Sequence, residues 1–493
     1  MQKVIIMFCG LLSVVHMCSA QSQSTSIRNL SLLEALDIAS VRSLDAIVAK
    51  NQMYMSHWQF RNYKADLLPA LTFEGTLPSL NRLLTQYQKT DGTYTFIPSS
   101  SLSENVVLSL SQNIPFTGGR ILVQSQLQRL DELDGTKNTS WLNIPANITF
   151  EQPLITSRPL WWATKIEPER YKEAQQQFAV NMEMVAIKTI QYYFNLLLAM
   201  VNRDIAEQTL SNATQLYNIA EEKKHLGLIS DNDLQQLKLG KLNATAGIVT
   251  ARHDYDQQMF ALRNYLGFND HVIIEASIPD EAPNIPITLD EAIELAKANN
   301  PITHNSRRRL LEAQQIIAQA RANRGFQANI YASLGFTGSA STLPHSYRDL
   351  QNRQVISFGV RIPILDWGKG KGQIQIAKSQ AEVEENRIQQ ENQDFEQNII
   401  LAVQQYQDQQ GLTVIYREAD KVAQRRYNTI FETFVMGYIS VLDINAAQSE
   451  KDQAKRNYIN QLYMSWLSFY NLRQITLFDF LTRTNIKYSL SYK

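Results

Sequence analysis

Two hydrophobic rhythms alternate along the chain. In ENVVLSLSQNI, Val106, Leu108 and Leu110 share one side while Ser109 and Ser111 take the other. ANITFEQPL sets Ile148 and Phe150 against Asn147, Thr149 and Glu151, and ANIYASLGFTG sets Ile330, Leu334 and Phe336 against Asn329, Tyr331, Ser333 and Thr337. RQVISFGVRIP alternates Ile356, Phe358, Val360 and Ile362 with Ser357, Gly359 and Arg361. A period of two over about ten residues predicts strands with one apolar and one polar side. A water-soluble sandwich shows the same alternation, so the pattern alone does not place these strands in lipid.

The second rhythm is helical and very long. From Lys369 to Phe434 there is no proline, and glycine occurs only at Gly370, Gly372 and Gly411. This predicts a helix of about 66 residues, roughly 100 Å at 1.5 Å per residue. Pro159 to Leu226 reads as a second rod of similar length, with Pro168 near its start. Ordinary helices run about 10 to 14 residues. These rods are too polar for the centre of a compact core and need neighbours along their length, which implies a coiled assembly. Each ends in a glycine turn. Gly227 and Gly437 suit the left-handed stop, while Ser230 and Ser440 can cap the return helices, about Ser230–Leu266 and Ser440–Leu477. A further helix is predicted from Ser31 to about Ala65, with Ser31 and Glu34 spaced as a capping box, and its counterpart opens at Thr288 with Glu291.

These elements repeat. LYNIAEEKKHLGLISDND from Leu216 aligns with RYNTIFETFVMGYISVLD from Arg426 at a constant offset of 210, matching Tyr217 to Tyr427, Gly227 to Gly437, Ser230 to Ser440 and Asp233 to Asp443. Upstream, SLLEALDIA from Ser31 matches TLDEAIELA from Thr288 at an offset of 257, and Ile114-Pro115 matches Ile362-Pro363 at 248. Duplication followed by unequal insertion explains the three offsets, with 38 extra residues in the first half between Pro115 and Tyr217. The expected organisation is a leader over 1–20, a first repeat over 21–280 and a second over 281–493.

Composition narrows the setting. MQKVIIMFCGLLSVVHMCSA has Lys3, an apolar run from Val4 to Val15 and a small Ala20, the pattern of a secretory leader cleaved after Ala20. Cys18 raises lipidation, but Met17 stands where a small residue is expected. Cys9 and Cys18 are the only cysteines, so the mature chain would carry no disulfide, thiolate chemistry or cysteine metal site. No run of about 20 apolar residues follows the leader. Lys+Arg and Asp+Glu both number 47, which removes the general electrostatic case for nucleic acid. The histidines form no HExxH, and GKGKG at Gly368–Gly372 lacks phosphate-loop spacing. No catalytic residue, cofactor or metal is predicted, and the chain is not expected to be an enzyme.

The paired Gly-x-x-Ser-x-x-Asp turns, LPALTF after the first helix, SQNIPFTGG, TFEQPL and IPILDWGKGK together resemble the TolC-like outer-membrane efflux proteins over nearly all of the mature chain. The resemblance implies a mainly α fold with a membrane β-barrel: duplicated long-helix hairpins forming a trimeric α-helical barrel through the periplasm, plus an outer-membrane barrel in lipid. Family members give two strands per half and twelve per barrel. Here GGRILVQSQLQRL can form an additional strand, so the first half contributes four strands and the second two, eighteen in a trimer, or the extra hairpin is an outer loop. The implied partners are two further copies, a periplasmic adaptor protein and an inner-membrane pump of RND or ABC type.

The resemblance also places the closed end of the duct at the two glycine turns. Asp443 stands where the family carries the first aspartate of its constriction, so three copies would form an acidic ring; the same residue also fits an ordinary helix-capping aspartate. Asp233, its repeat mate, would shape the entrance. Ala446 occupies the place of a second gate aspartate, and Phe434 and Ile439 replace a tyrosine and an arginine that latch some members shut, which suggests a latch made by packing of Phe434. Lys223, Lys224, Leu226, Gly227, Met436 and Gly437 lie at the predicted tips, where an adaptor would touch. Trp161 and Trp162 suit the membrane interface or packing between subunits. The expected function is a passive export duct for small molecules. The alternatives are a duct for polypeptides in a type I system and a soluble periplasmic coiled-coil scaffold.

Overall fold

The computed structural model describes residues 26–134, 137–227, 229–269, 271–436, 439 and 441–488. The predicted leader, Gly437, Ser440 and the side chain of Phe434 lie outside the described residues.

The chain opens with β1 (Ser26–Leu30), α1 (Leu32–Arg42) and α2 (Leu44–Ala65). Four strands follow: β2 (Ala70–Gln88), β3 (Tyr94–Ile114), β4 (Gly119–Glu132) and β5 (Asn138–Pro153). The first rod is α3 (Pro159–His225), followed by its return α4 (Asp231–Tyr265) and β6 (Val272–Ala276). The second half runs α5 (Leu289–Asn299), α6 (Ile302–Arg324), β7 (Gln327–Ala340), α7 (Leu343–Ser346), β8 (Gln351–Arg361), the second rod α8 (Lys369–Val435), its return α9 (Val441–Thr476), β9 (Phe478–Asp479) and β10 (Thr484–Asn485).

Both rods have 67 residues, close to 100 Å each. Pro168 lies within α3 and does not end it, because the early turns of a helix tolerate a missing amide far better than its middle. α3 holds one segment long and apolar enough on average to cross a membrane, though not an unbroken apolar run, and over half of it is buried against protein. The predicted helix from Ser31 is broken in two at Ser43, whose backbone is extended and whose N–H donates to the Ala39 carbonyl. Its counterpart breaks at Asn300, again at the 257 offset. Pro301 forces the second break.

The residues cluster into two compact units that interleave along the sequence. One contains 1–44, 188–281 and 413–464. In it β1 pairs in parallel with β6, from Ile27 opposite Ile273 to Leu30 opposite Ala276, and the buried Tyr193 hydroxyl sits 2.9 Å from the Leu30 carbonyl and 2.6 Å from that of Ser277. Neither strand is legible from hydrophobic alternation, since five residues are too few to show a period.

The other unit contains 45–187, 282–412 and 465–493. Its centre is a six-stranded antiparallel sheet in the order β2-β3-β4-β5-β7-β8. GGRILVQSQLQRL is therefore an inner strand, β4, and not an outer loop: the first half supplies four strands and the second two. Ion pairs brace the helices of this unit. Arg308 holds Glu173 at 2.6 Å and Glu312 at 2.8 Å, His304 lies 2.6 Å from Glu169, and Arg309 bridges Glu384 and Glu391. Glu183 is buried. Arg473 lies 3.3 Å from it and the Tyr488 hydroxyl donates to it at 3.0 Å, which ties the end of α9 and the C-terminal segment to α3. Burial pushes the Glu183 carboxyl above its ordinary range, against the opposing pull of Arg473 and Tyr488.

Arg473→Met leaves Glu183 buried without its cation and is expected to cost about 3 to 5 kcal/mol. Because the folded pKa is raised, protonation of Glu183 favours the fold, so the loss should grow as pH rises through the folded value. Thermal unfolding of the detergent-solubilised protein, with Glu183→Gln added to Arg473→Met, checks this: the second change should recover much of the first.

Candidate functional site

Strand register decides which side of the sheet meets which solvent. Leu71, Leu110, Val123, Ile148 and Leu334 lie directly opposite one another across five strands. Two residues below runs Ile121–Phe150–Ala332–Ile356, and two below that Ile330 opposes Phe358. Most of these large side chains are exposed, Phe73 at 69%, Ile356 at 78% and Phe358 at 61%. From the Phe73–Leu108 pair down to Ala328–Val360 is eight residue steps, about 27 Å along the strands and a little over 20 Å at a tilt near 40°. That is close to the roughly 25 Å apolar band of an outer-membrane barrel.

The opposite side is polar. Thr72, Ser109, Gln124, Asn147 and Gly335 form one row, and Ser111, Leu122, Thr149 and Ser333 the next. Asn147, Thr149 and Ser333 are buried and joined: Asn147 donates to Thr149 at 3.0 Å and Ser333 donates to Asn147 at 2.8 Å. Among the described residues β2 and β8 have one sheet neighbour each.

At the lower end of the sheet the two strand-to-helix junctions differ. Trp161 and Trp162 are half-buried and pack edge to face, with Lys165 Nζ 3.8 Å above the Trp161 ring and the Arg158 guanidinium 5.2 Å from it. Trp367 is 90% exposed and Ile364 95%. Asp366 accepts from Gly368 N–H at 2.9 Å and Gly370 N–H at 2.8 Å, bonds that hold its carboxyl below its ordinary range and cap α8. Sequence reasoning singles out the tryptophan pair and passes over Trp367, although Trp367 stands within the IPILDWGKGK motif.

The helix-turn end belongs to the other unit. Gly227 has φ of 69°, its N–H donates to the Lys224 carbonyl at 2.9 Å, and Leu226 is 73% exposed. Ser230 caps α4: its hydroxyl donates to Asp233 at 2.7 Å and accepts from the Asp233 N–H at 3.2 Å. The carboxylate of Asp233 is thus engaged in a capping box. Lys224 pairs with Asp231 at 3.3 Å. Lys223 lies on the last turn of α3, Met436 is 70% exposed, and Asp443 is exposed in the first turn of α9.

Below the turns, Leu216, Ala220, Leu237, Tyr427, Ile444 and Ala447 form a small core drawn from α3, α4, α8 and α9. Polar bonds cross it. Buried Asn212 donates to the Tyr427 hydroxyl at 2.7 Å, and Gln448 donates to Thr209 at 2.9 Å. Lys451 Nζ lies 4.3 Å above the Tyr427 ring and 3.4 Å from Asp452, whose carboxyl is pushed above its ordinary range by burial. Sequence matching pairs Tyr427 with Tyr217, but Tyr217 is only partly buried and bonds to Glu221 on its own helix. The cross-brace depends on Asn212, whose counterpart at the 210 offset is the exposed Val422.

Comparison with known proteins agrees with this geometry. The profile described as Outer membrane efflux protein matches residues 292–476. The cation efflux system protein CusC of Escherichia coli O6:H1 (strain CFT073) is 25% identical over 300 residues, 57% of this chain and 61% of CusC; that of strain K12 is 24% identical over 345 residues, 64% and 72%. The match thus spans less than two thirds of the first of these relatives. A crystal structure of CusC superposes with a TM-score of 0.62 at 16% identity over 90% of this chain and 91% of that one. The Campylobacter jejuni CmeC outer membrane channel superposes with a TM-score of 0.65 at 17% identity, covering 90% and 85%. The second repeat of the chain matches the outer membrane efflux protein family, and the fold of the whole is that of the outer-membrane channels.

Tyr427→Phe should cost about 1 to 3 kcal/mol by leaving the buried Asn212 amide short of a partner. Adding Asn212→Leu should restore part of that, measured as thermal unfolding of single and double variants. A second outcome concerns Asp452. The stability gained from its protonated form is full below 3.8 and is lost as pH rises through the raised folded value. Asp452→Asn should therefore flatten the pH dependence of the unfolding temperature between 3.8 and that raised value.

Proposed function

We propose that three copies of this chain form a passive export duct through the outer membrane, fed by an inner-membrane pump through a periplasmic adaptor, and that the duct catalyses no reaction. The observation that carries this reading is the sheet: one side apolar, the other polar, with edge strands that need partners. In hydrocarbon each unpaired backbone group costs several kcal/mol, so spanning strands must close on themselves. Six strands running alternately up and down end in edges of opposite direction, β2 and β8, so β8 of one copy can pair antiparallel with β2 of the next. Three copies then make eighteen strands. At a spacing of about 4.8 Å and a tilt near 40° the barrel is about 36 Å across, against about 24 Å for twelve strands.

The tip residues support the transport role of the helical part. Asp443, exposed at the start of α9, is the gate residue of this reading, and Leu226, Lys223, Lys224, Gly227, Met436 and Gly437 form the adaptor contact. Asp233 shapes the turn through its cap, and Phe434 contributes the packing latch. The relatives' description as cation efflux components suits an acidic constriction, which favours cations over anions. Trp161 and Trp162, together with Trp367, hold the lower membrane interface.

Reconstituted in planar bilayers, the protein should show discrete conductance steps, and Asp443→Ala should lower its preference for cations, read from the reversal potential in a salt gradient. Unchanged selectivity would remove Asp443 from the gate and leave the duct. An inserted trimer that never conducts, even with its tip turns loosened, would sink the duct itself.

A further inference from the structure

The outermost part of the sheet reaches past its neighbours. β4 ends with Glu132 opposite Ser101, while β2 and β3 go on pairing from Arg82 opposite Ser100 to Gln88 opposite Tyr94. This arm is a two-stranded ribbon, and such a ribbon alone is marginal in water. It is also apolar on both sides: Leu84 is 66% exposed and Phe96 68%, with Leu83 at 54%, Tyr87 at 53% and Ile97 at 42% on the other face. Polar loop tips have no need of such side chains, so the arm requires cover.

The register of the barrel proposed above says what supplies that cover, and the contact depends on that barrel being formed. β2 begins at Ala70 and β8 ends at Arg361, so matching these lower ends lays the 11 residues of β8 along a neighbour's β2 up to about residue 80. Above that point β2 has no further strand to meet. There the residues that precede β8, Tyr347 to Leu350, adjoin the edge, after α7, which itself packs on β7 and β5, and they expose Tyr347 at 48% and Leu350 at 38%. In the same alignment, allowing for the extra residue of β2 between Thr76 and Ser79, Arg82 falls level with Leu350 and next to Asp349. Arg82 and Asp349 are both exposed, and among the described residues neither has an ion-pair partner.

We infer that the β2–β3 arm of one copy clasps the α7–β8 loop of the next, with Arg82 paired to Asp349 and Leu84 and Phe96 covered by Tyr347 and Leu350. Within one chain the pair cannot form: β2 and β8 are the two edges of a six-stranded sheet, five strand spacings or about 24 Å apart. The contact is therefore a marker of the seam between copies, and it would hold the outer rim closed where main-chain pairing has ended.

Charge reversal tests it in the full chain. Arg82→Asp and Asp349→Arg should each lower the temperature at which the trimer dissociates in detergent, and the double variant should recover the loss. Cysteines supply the geometry, since Cys9 and Cys18 both lie in the predicted leader. Oxidation of Arg82→Cys with Asp349→Cys should convert the monomer band to cross-linked dimer and trimer. Glu74→Cys with Ser357→Cys reports the β2–β8 seam in the same way. Linking at the seam without linking at the arm overturns the clasp and leaves the barrel standing. Linking by Arg82→Cys alone would mean that the arms meet each other over the mouth, which also overturns it. An inserted protein that links at neither pair removes the closed barrel and the clasp together.

Discussion

The structure depends on one constraint: a peptide group in hydrocarbon must find its hydrogen-bond partner within protein. The inner strands of the six-stranded sheet meet it twice over, and the two edges meet it once. Everything else about the sheet is consistent with edges that close. Leu71 to Leu334 form an unbroken apolar row because a period-two strand in fixed register keeps like residues on one side across any number of neighbours. The polar side can stay hydrated only if it encloses water. An even number of strands per copy lets up meet down at every seam, so adding a hairpin preserves closure where adding a single strand would break it. The extra material after Pro115 fits this, since it holds the hairpin β4–β5 and brings the first half to four strands where the second half has two.

Duplication set the plan, and later divergence distributed the work unequally between its halves. The helix break at Ser43 and the break at Asn300 sit at one offset, yet proline enforces only the second. In the first, a buried Ser43 directs its N–H to Ala39 and the same bend is reached without the ring. The turn ends diverged further. Tyr427 reaches into the core between helices and is met by Asn212, while Tyr217 stays on its own helix. A buried polar bond between helices is costly to leave half-made, so the brace fixes how the helix ends pack as well as adding stability.

The sequence displayed the parts of this protein that extend over many residues. Rods, strands and returns all appear in periodicity or in the repeat, and the rods end within a residue or two of the positions at which their proline and glycine signals stop them, at Pro159, His225, Lys369 and Val435. Short elements stayed hidden, β1 and β6 above all, because a parallel pair between Ile27 and Ile273 is a fact about distance in space and leaves no local trace. The long outer reach of β2 and β3 was hidden for another reason: Pro78 interrupts the alternation of the one and Pro98 that of the other, and the register shift between Thr76 and Ser79 moves the apolar set of β2 from one face to the other. For the site, motif matching finds the turn residues and the tryptophan pair. It misses Asn212 and Trp367, since one acts through a partner 215 residues away and the other through exposure.

The eighteen-strand barrel proposed here would also change where selection can occur. Charges on the wall of a bore about 36 Å wide stand some 18 Å from its axis, more than two Debye lengths at physiological ionic strength, and are screened from cargo in the middle. The polar rows here mix neutral residues such as Thr72, Ser109, Gln124, Asn147 and Ser333 with charges of both signs, Glu74, Arg120, Glu151, Arg353 and Arg361. A hydrated wall of mixed sign, that far from the axis, selects weakly. Electrostatic choice must then be made where the passage is narrow enough for a carboxylate to lie within a few ångströms of whatever passes. Of the two repeat aspartates, Asp233 lies within a capping box, and Asp443, exposed in the first turn of α9, is the residue proposed for that role. Widening the membrane part of such a duct makes its selectivity depend more strongly on the turn end of the helices.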